Sequence, residues 1–532
     1  MNTPATSDRA ASSAPWWAGA LAGLLATAAG VGVATGIAAV LKGVPSPIVS
    51  VGNQAIDQAP PFLKEFAVKN FGTNDKPILI GGVVATLAVI VIVAGIIGRT
   101  KPRFAFGVIA LVGLVAVGAA AIDRTATANR AVTMIPALLA LVITLAAMYC
   151  FLDSLSLNSR RSAPLSNSER NGDELPPGFN RRRFLQAALG TGALIVVGGA
   201  VGKLFGNAAA AASRAGIKIR RPADAVAAIP SGTEVDLKGI KPYITPNRDF
   251  YRVDTALTIP DVPAEGWSLR VHGMVDKELN LSFRDLMDMA LVERRITLTC
   301  VSNEVGGPYV GNATWIGVPI KDILELAGVK GGADAIKTTS ADDWTCGTPL
   351  QAVTDERNAI IAIGMNGEPL PLAHGFPARM LVPGLYGYVS ATKWLIDLEV
   401  TKFSDFKAYW TTRDYDAEAP IKMSSRIDVP RSFASVSKNS VRIGGSAWAQ
   451  ATGVKRVEIK IDEGAWTDAD LGTEDTIETW RQWSYTWDQA TTGRHTATVR
   501  ATDANGKTQT SERARIRPNG TTGWHSVQFT VT

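Results

Sequence analysis

Cys300 has the setting that most suggests chemistry. Ile296-Thr297-Leu298-Thr299-Cys300 reads as a β-strand ending on a thiol, and Val301-Ser302-Asn303-Glu304-Val305-Gly306-Gly307 behind it reads as a polar, glycine-rich turn. A soft thiolate at a strand end beside such a turn can reach a metal, whereas an isolated cysteine is most often a small buried hydrophobe. Cys346, two residues after Trp344, either lines the same pocket or packs as a bystander, the commoner role for a lone cysteine. With Cys150 there are three thiols, too few for an all-cysteine iron–sulfur cluster and enough for one disulfide at most. No Cys-x-x-Cys-His run occurs, and His272, His374, His495 and His525 all lie in the C-terminal half, so no haem is expected.

The chain that must position this thiol is 532 residues long, 46% apolar and 19% charged, with a mean hydropathy of +0.10. Disorder, collagen and a disulfide-stapled mini-protein are excluded. The apolar surplus is concentrated in uncharged runs at Trp16 to Leu41, Ile78 to Gly98, Phe104 to Ile122, Val132 to Leu152 and Phe184 to Gly202, the last helix continuing to about residue 206. Each fills a hydrocarbon layer roughly 30 Å thick with about 20 residues, so a five-helix transmembrane anchor is expected over 1–207. Arg99, Lys101 and Arg103 follow the second run, and Arg160, Arg161, Arg170, Arg181, Arg182 and Arg183 precede the fifth. These basic loops face the cytoplasm by the positive-inside rule, although Lys42, Lys64, Lys69 and Lys76 in the first external loop oppose it. Everything after about Lys203 is then extracytoplasmic, on a multi-pass cell-membrane protein. The net charge of +6 is accounted for by topology, and no nucleic-acid partner is expected. Asn180 to Leu185 (Asn-Arg-Arg-Arg-Phe-Leu) resembles an internal twin-arginine export signal, and a plain positive helix flank would look the same.

Residues 208–235 read as a linker beginning with an Ala-rich tether. Between 236 and 420, strand-like runs at Trp267 to Val271, Ala359 to Ile363 and Trp394 to Val400 alternate with helical patches at Phe283 to Ala290 and Ile320 to Ala327, an α+β pattern. From 421 to 532 the period becomes two, as in Val457, Ile459, Ile461 and in Val527, Phe529, Val531, with turns at Asp462 to Gly464 and Asn505-Gly506. An immunoglobulin-like β-sandwich is expected there, with Trp480, Trp483 and Trp487 in its core or at an interface.

From Asp236 to Thr532 the chain resembles the sulfite oxidase family of molybdenum enzymes and its membrane-anchored bacterial members. The matching segments are Thr-Leu-Thr-Cys at 297–300, Gly-Asn-Ala-Thr-Trp-Ile-Gly-Val-Pro at 311–319, Met-Asn-Gly-Glu-Pro-Leu-Pro-Leu-Ala-His-Gly-Phe-Pro-Ala-Arg at 365–379, and Val-Pro-Gly at 382–384 leading to Lys393-Trp394. The resemblance implies a molybdenum–molybdopterin cofactor with Cys300 as the metal-ligating thiolate. It further implies that Tyr251 and Arg252 in Phe-Tyr-Arg-Val-Asp, His374, Arg379, Ser390 and Lys393 hold the pyranopterin and its phosphate. Such an anion suits bidentate arginine and a point-charge lysine. It also implies a homodimer through the C-terminal domain.

Two departures from the family pattern bear on the substrate. Trp344 stands where sulfite oxidases carry a tyrosine near the metal, and indole offers one N–H donor but no hydroxyl. Gly384 to Lys393 is one residue longer than its counterpart and lacks the family's arginine, which leaves an oxyanion such as sulfite without that partner. The expected activity is oxygen-atom transfer to or from a small sulfur or nitrogen oxide, with electrons passing to a separate protein or quinone partner. The rival expectation is a non-catalytic adhesion or sensing module that keeps the fold; retention of Cys300, Arg252, His374, Arg379 and Lys393 argues against it.

Overall fold

A computed structural model describes residues 14–41, 43–71, 75–126, 128–155, 180–205, 208–438 and 441–532. The chain divides into two compact units, residues 1–208 with 256–261 and residues 209–255 with 262–532.

The first unit is helical: α1 (Trp16–Val40), α2 (Pro47–Gln58), α3 (Pro61–Phe71), α4 (Asp75–Gly98), α5 (Pro102–Ala121), α6 (Arg130–Leu155) and α7 (Arg181–Phe205). The charge-free runs of the sequence fall on α1, α4, α5, α6 and α7, which contain the five segments long and apolar enough to cross a membrane. Helix α1 runs against α4, α6 and α7. Its small residues let the backbones touch, since a methyl group on Gly23 would lie 2.0 Å from the Val91 carbonyl oxygen. Ala18, Ala22 and Ala26 of α1 share a core with Ile109, Met148 and Phe151, while Leu111, Leu114, Val196 and Val197 point outward. An outward apolar surface of this kind suits lipid rather than water. The short helix α2 carries polar groups inward, and Asn53 donates to Asp123 at 3.1 Å and to Thr125 at 3.0 Å beyond the end of α5. Arg160, Arg161, Arg170 and Lys42 lie outside the described residues.

The stretch read as a linker over 208–235 begins with α8 (Ala208–Gly216). Arg214 donates to the carbonyls of Pro369 and Leu370 at 2.9 Å and pairs with Glu368, and the Ser213 hydroxyl accepts the Ala264 amide. Further along, the Ala223 amide donates to the Leu291 carbonyl and Arg294 pairs with Asp224. The segment is held to the α+β core by backbone acceptors that composition does not reveal.

That core contains β1 (Ser268–Gly273), β2 (Leu279–Ser282), α9 (Phe283–Asp288), β3 (Val292–Thr299), β4 (Val310–Pro319), α10 (Ile320–Ala327), β5 (Ala335–Ser340), β6 (Thr345–Pro349), α11 (Leu350–Thr354), β7 (Ile360–Met365), β8 (Glu368–Pro369), β9 (Arg379–Leu381) and β10 (Leu395–Thr401). The strands form two sheets, one in the order β2-β1-β10-β5-β6 and one in the order β3-β4-β7-β8 with β9 also on β7. Only β1 and β10 of these run parallel. Strands β4 and β7 are buried almost throughout, and β7 accordingly reads as an apolar run, whereas β4 also buries Asn312. The Ser282 hydroxyl and the Asp285 carboxylate cap α9 reciprocally.

The C-terminal strands are β11 (Ser424–Val429), β12 (Ser435–Val436), β13 (Arg442–Trp448), β14 (Val454–Ile461), β15 (Thr467–Asp468), β16 (Asp470–Leu471), β17 (Arg481–Thr486), β18 (Gly493–Asp503) and β19 (His525–Val531). They build two sheets, β11-β13-β17-β16 and β12-β19-β18-β14-β15. Ile443 and Trp483 from one meet Val457, Val499 and Phe529 from the other in a single core. Trp483 is at its centre, as the sequence suggests, but Trp480 belongs to the core of the α+β region instead.

Strand β3 joins the two regions. The Thr297 amide donates to the Glu478 carbonyl at 3.0 Å, and Gln450 donates to the Thr297 carbonyl. Buried Arg295 pairs with buried Asp475, which also accepts the Tyr243 hydroxyl at 2.8 Å. Removing one partner of a buried pair leaves an uncompensated charge at a cost of about 3–5 kcal/mol, whereas apolar replacement of both is far milder. Asp475→Ala should therefore destabilise the detergent-solubilised protein by about that amount in denaturant unfolding, and Arg295→Met with Asp475→Leu should recover most of it.

Candidate functional site

Cys300 follows the last residue of β3, as the sequence suggests. Its amide donates to the Tyr309 carbonyl at 3.0 Å, and its own carbonyl accepts the Asn303 amide at 3.0 Å, closing a tight turn. Asn303 is buried and its side chain accepts the Tyr309 amide at 2.8 Å, so the turn is pinned from inside. The half-buried sulfur lies 2.9 Å from the Ser302 hydroxyl. Burial raises the thiol pKa, opposed by the Ser302 hydroxyl and by the charge of Lys393.

Three cations gather near this thiol. Arg252 donates to Asp254 at 2.8 Å through Nε, and Lys393 donates to the same carboxylate at 2.5 Å, so one anion serves two cations. Lys393 immediately precedes Trp394, over whose ring its ammonium sits at 4.7 Å. Arg379 begins β9 and is only 5% exposed. It donates to the His374 carbonyl at 3.0 Å and its guanidinium lies 5.1 Å from the centre of the Trp315 ring. Its Nε has no hydrogen-bond partner, and no carboxylate pairs with it among the described residues. Burial without a counter-ion brings its pKa down to about 10.

His374 is buried in a 3₁₀ turn, and its Nε2 lies 2.9 Å from the Asn247 carbonyl. A carbonyl only accepts, so this nitrogen carries the proton and Nδ1 is left as an acceptor. Burial foremost, then the positive charges of Arg379, Lys393 and Arg252, brings the pKa to about 4, so the imidazole is neutral at pH 7. Gly375 follows with φ +113°, and a methyl group there would press on Arg379 and Lys393 at 3.1 Å. Glycine thus lets His374, Arg379 and Lys393 converge.

Tyr251 stacks on Phe250 at 5.2 Å, and its phenol pKa is raised by burial and then by the charge of Cys300. Ser390 is fully buried, with its hydroxyl 2.9 Å from the Leu385 carbonyl and 3.0 Å from the Tyr386 carbonyl, so its side chain braces its own loop. Trp344 sits on the β5–β6 turn with its carbonyl accepting the Ser340 amide at 2.9 Å; its half-buried indole N–H has no hydrogen-bond partner among the described residues. Cys346 is fully buried within β6, 3.7 Å from the Thr348 hydroxyl, and desolvation pushes its pKa to about 11. This is the packing role.

Several functional neighbours escape a reading of the sequence. Asp254 is two residues beyond Arg252 and could have been noticed as a local pair; Asn247, Asn303 and Ser302 carry no such signal. From the far end of the chain, Thr521 donates to the Asn303 carbonyl at 2.9 Å and Arg426 donates to the Gly307 carbonyl at 3.2 Å. The His525 ring lies against Gly306, where an added methyl group would meet it at 2.1 Å. The turn after Cys300 is therefore walled by residues more than a hundred positions away.

A buried guanidinium with an unsatisfied Nε and no counter-ion, beside a shared-carboxylate cation pair and an acceptor imidazole, suits an anionic, hydrogen-bonding cofactor. Comparison with known proteins agrees. Residues 256–410 match the oxidoreductase molybdopterin binding domain family. Mitochondrial sulfite oxidase of Mus musculus is 30% identical over 290 residues, covering 45% of this chain and 52% of that protein. The uncharacterized oxidoreductase YuiH of Bacillus subtilis is 34% identical over 176 residues, covering 32% of this chain and 85% of that protein. Among solved structures, the sulfane dehydrogenase SoxCD of Paracoccus pantotrophus matches with a TM-score of 0.47 at 22% identity, covering 54% of this chain and 81% of that one. The chain spans about half the length of the sulfite oxidases it matches. With its α+β domain and its donor set, the chain belongs to the sulfite oxidase family of molybdopterin-dependent oxidoreductases.

Proposed function

We propose that this oxidoreductase is a membrane-anchored, extracytoplasmic enzyme that moves an oxygen atom to or from a small neutral oxide, with reduction of a sulfoxide as the favoured reaction. The molybdenum–molybdopterin group supplies the two-electron oxygen-atom chemistry. The observation that carries the reading is Arg379, a buried cation with no carboxylate partner among the described residues. Arg379, Arg252 and Lys393 neutralise the cofactor's phosphate and fix its orientation, Asp254 keeping the latter two aligned. Neutral His374 keeps its proton on Nε2, donates it to the Asn247 carbonyl, and leaves Nδ1 as an acceptor that would be available to a donor on the cofactor. Tyr251 packs beside the thiol, and Ser390 stiffens the loop that faces it. Cys300 would hold the metal as its thiolate, the form that binds metal ions.

The segment from Gly384 to Lys393 carries no arginine, and Trp344 offers only an indole N–H. A pocket so equipped favours an uncharged oxide over sulfite, whose desolvation would cost several kcal/mol without a fixed cation. Five apolar helices support the anchor, and the arginines flanking α4 and α7 support a cytoplasmic placement of those ends. Asn180 to Leu185 serves as the export signal for a domain folded around its cofactor. The C-terminal sheets, read as an immunoglobulin-like sandwich, carry the homodimer contact, and electrons pass to a separate protein or quinone.

Steady-state assays on the molybdenum-loaded protein should give kcat/KM for methionine sulfoxide or dimethyl sulfoxide reduction at least about tenfold above that for sulfite oxidation, a difference of about 1.4 kcal/mol in transition-state binding; dominant sulfite turnover would overturn the substrate reading. Arg379→Met should lower molybdenum content in the purified protein severalfold while leaving the cofactor-free fold as stable or more stable, since an unpaired buried charge is removed. Full metal loading in that variant would contradict the cradle.

A further inference from the structure

The loop that lacks arginine brings a phenol to the thiol instead. The Gly387 amide donates to the Thr299 carbonyl at 3.2 Å, so Tyr386 and Cys300 flank a shared backbone contact. On the other side, the Asn303 amide donates to the Cys300 carbonyl at 3.0 Å and Thr521 donates to the Asn303 carbonyl at 2.9 Å. Gly520, the neighbour of Thr521, adopts φ +95°, and a methyl group added there would stand 2.6 Å from the Tyr386 hydroxyl. Residues 299, 300, 303, 521, 520, 386 and 387 thus close a ring of contacts, with the Tyr386 hydroxyl on it.

Within that ring the phenol is only 5% exposed. Its oxygen accepts a long 3.4 Å contact from the Lys422 amide, held in turn by Lys422 Nζ on Asn519 and Gly520, but its proton has no acceptor among the described residues. A buried donor left unused is costly, and the oxygen of a bound ligand would satisfy it. Burial keeps the phenol in its protonated, donor form at neutral pH. It is also uncharged, and therefore suited to a neutral acceptor.

We propose that Tyr386 is a specificity-determining residue that donates its phenolic hydrogen to the oxygen of a neutral oxide, a sulfoxide or N-oxide, bound beside Cys300. The inference rests on the oxygen-transfer reading above and adds the group that recognises the oxygen.

Tyr386→Phe keeps the ring and deletes only the donor. On the molybdenum-loaded full chain, calorimetric titration should show dimethyl sulfoxide binding weakened about 3–10-fold, the worth of one neutral hydrogen bond. Dimethyl sulfide, which has no acceptor oxygen, should bind as it does to the wild type, and molybdenum content should be unchanged. Equal weakening of both probes, no weakening of either, loss of the metal in the variant, or a loaded wild type that does not bind dimethyl sulfoxide would each overturn the proposal. A wild type that never acquires molybdenum would instead defeat the cofactor reading beneath it.

Discussion

A buried guanidinium with no carboxylate partner is a standing electrostatic cost, and Arg379 is one among the described residues. It is almost fully buried, Trp315 offers only a ring face, and the His374 carbonyl satisfies one of its nitrogens. Such a residue is tolerable when an anion completes it. Burial foremost, with that positive charge adding to it, keeps His374 neutral, and Lys393 partly opposes the burial that raises the Cys300 thiol pKa. Arg379, His374 and Cys300 look separate in sequence, and burial is the leading influence on all three.

The turn after Cys300 shows a second dependence. It is pinned from inside by Asn303 and from outside by Thr521, Arg426 and His525, all contributed by the C-terminal region. Strand β3 itself is continued by the Glu478 carbonyl and Gln450. The C-terminal sheets are therefore part of the scaffold that aims the thiol, whatever else they bind. A thiol that is to bind a metal from a strand end would need such support, because a loop anchored at one side alone lets the donor wander by more than coordination tolerates.

What could be read in the sequence was what is local. Charge-free runs of spanning length mark α1, α4, α5, α6 and α7, because in lipid every ionisable side chain is expensive. The strand ending on Cys300 and the helix from Ile320 to Ala327 follow from period and turn chemistry. Resemblance brought Arg252, His374, Arg379 and Lys393 together, and the structure gathers them through Gly375 and Asp254. What escaped depends on long-range contact: the docking of Arg214 on Pro369 and Leu370 turned an apparent linker into packed structure, and Trp480 joined a different core from Trp483 three residues later. Tyr386 carries no local signal, because its contact with Gly520 comes from far along the chain, where composition cannot place it. Ser390 faces carbonyls of its own turn rather than an open pocket, a choice of rotamer no pattern encodes.

The claim on which all of this rests is that one protein sulfur binds the metal. Molybdenum K-edge X-ray absorption on wild type and Cys300→Ser tests it directly. Wild type should show one more sulfur neighbour than the variant, with the variant retaining molybdopterin through Arg379, Arg252 and Lys393 but losing turnover. An identical sulfur count in the two proteins would contradict the account.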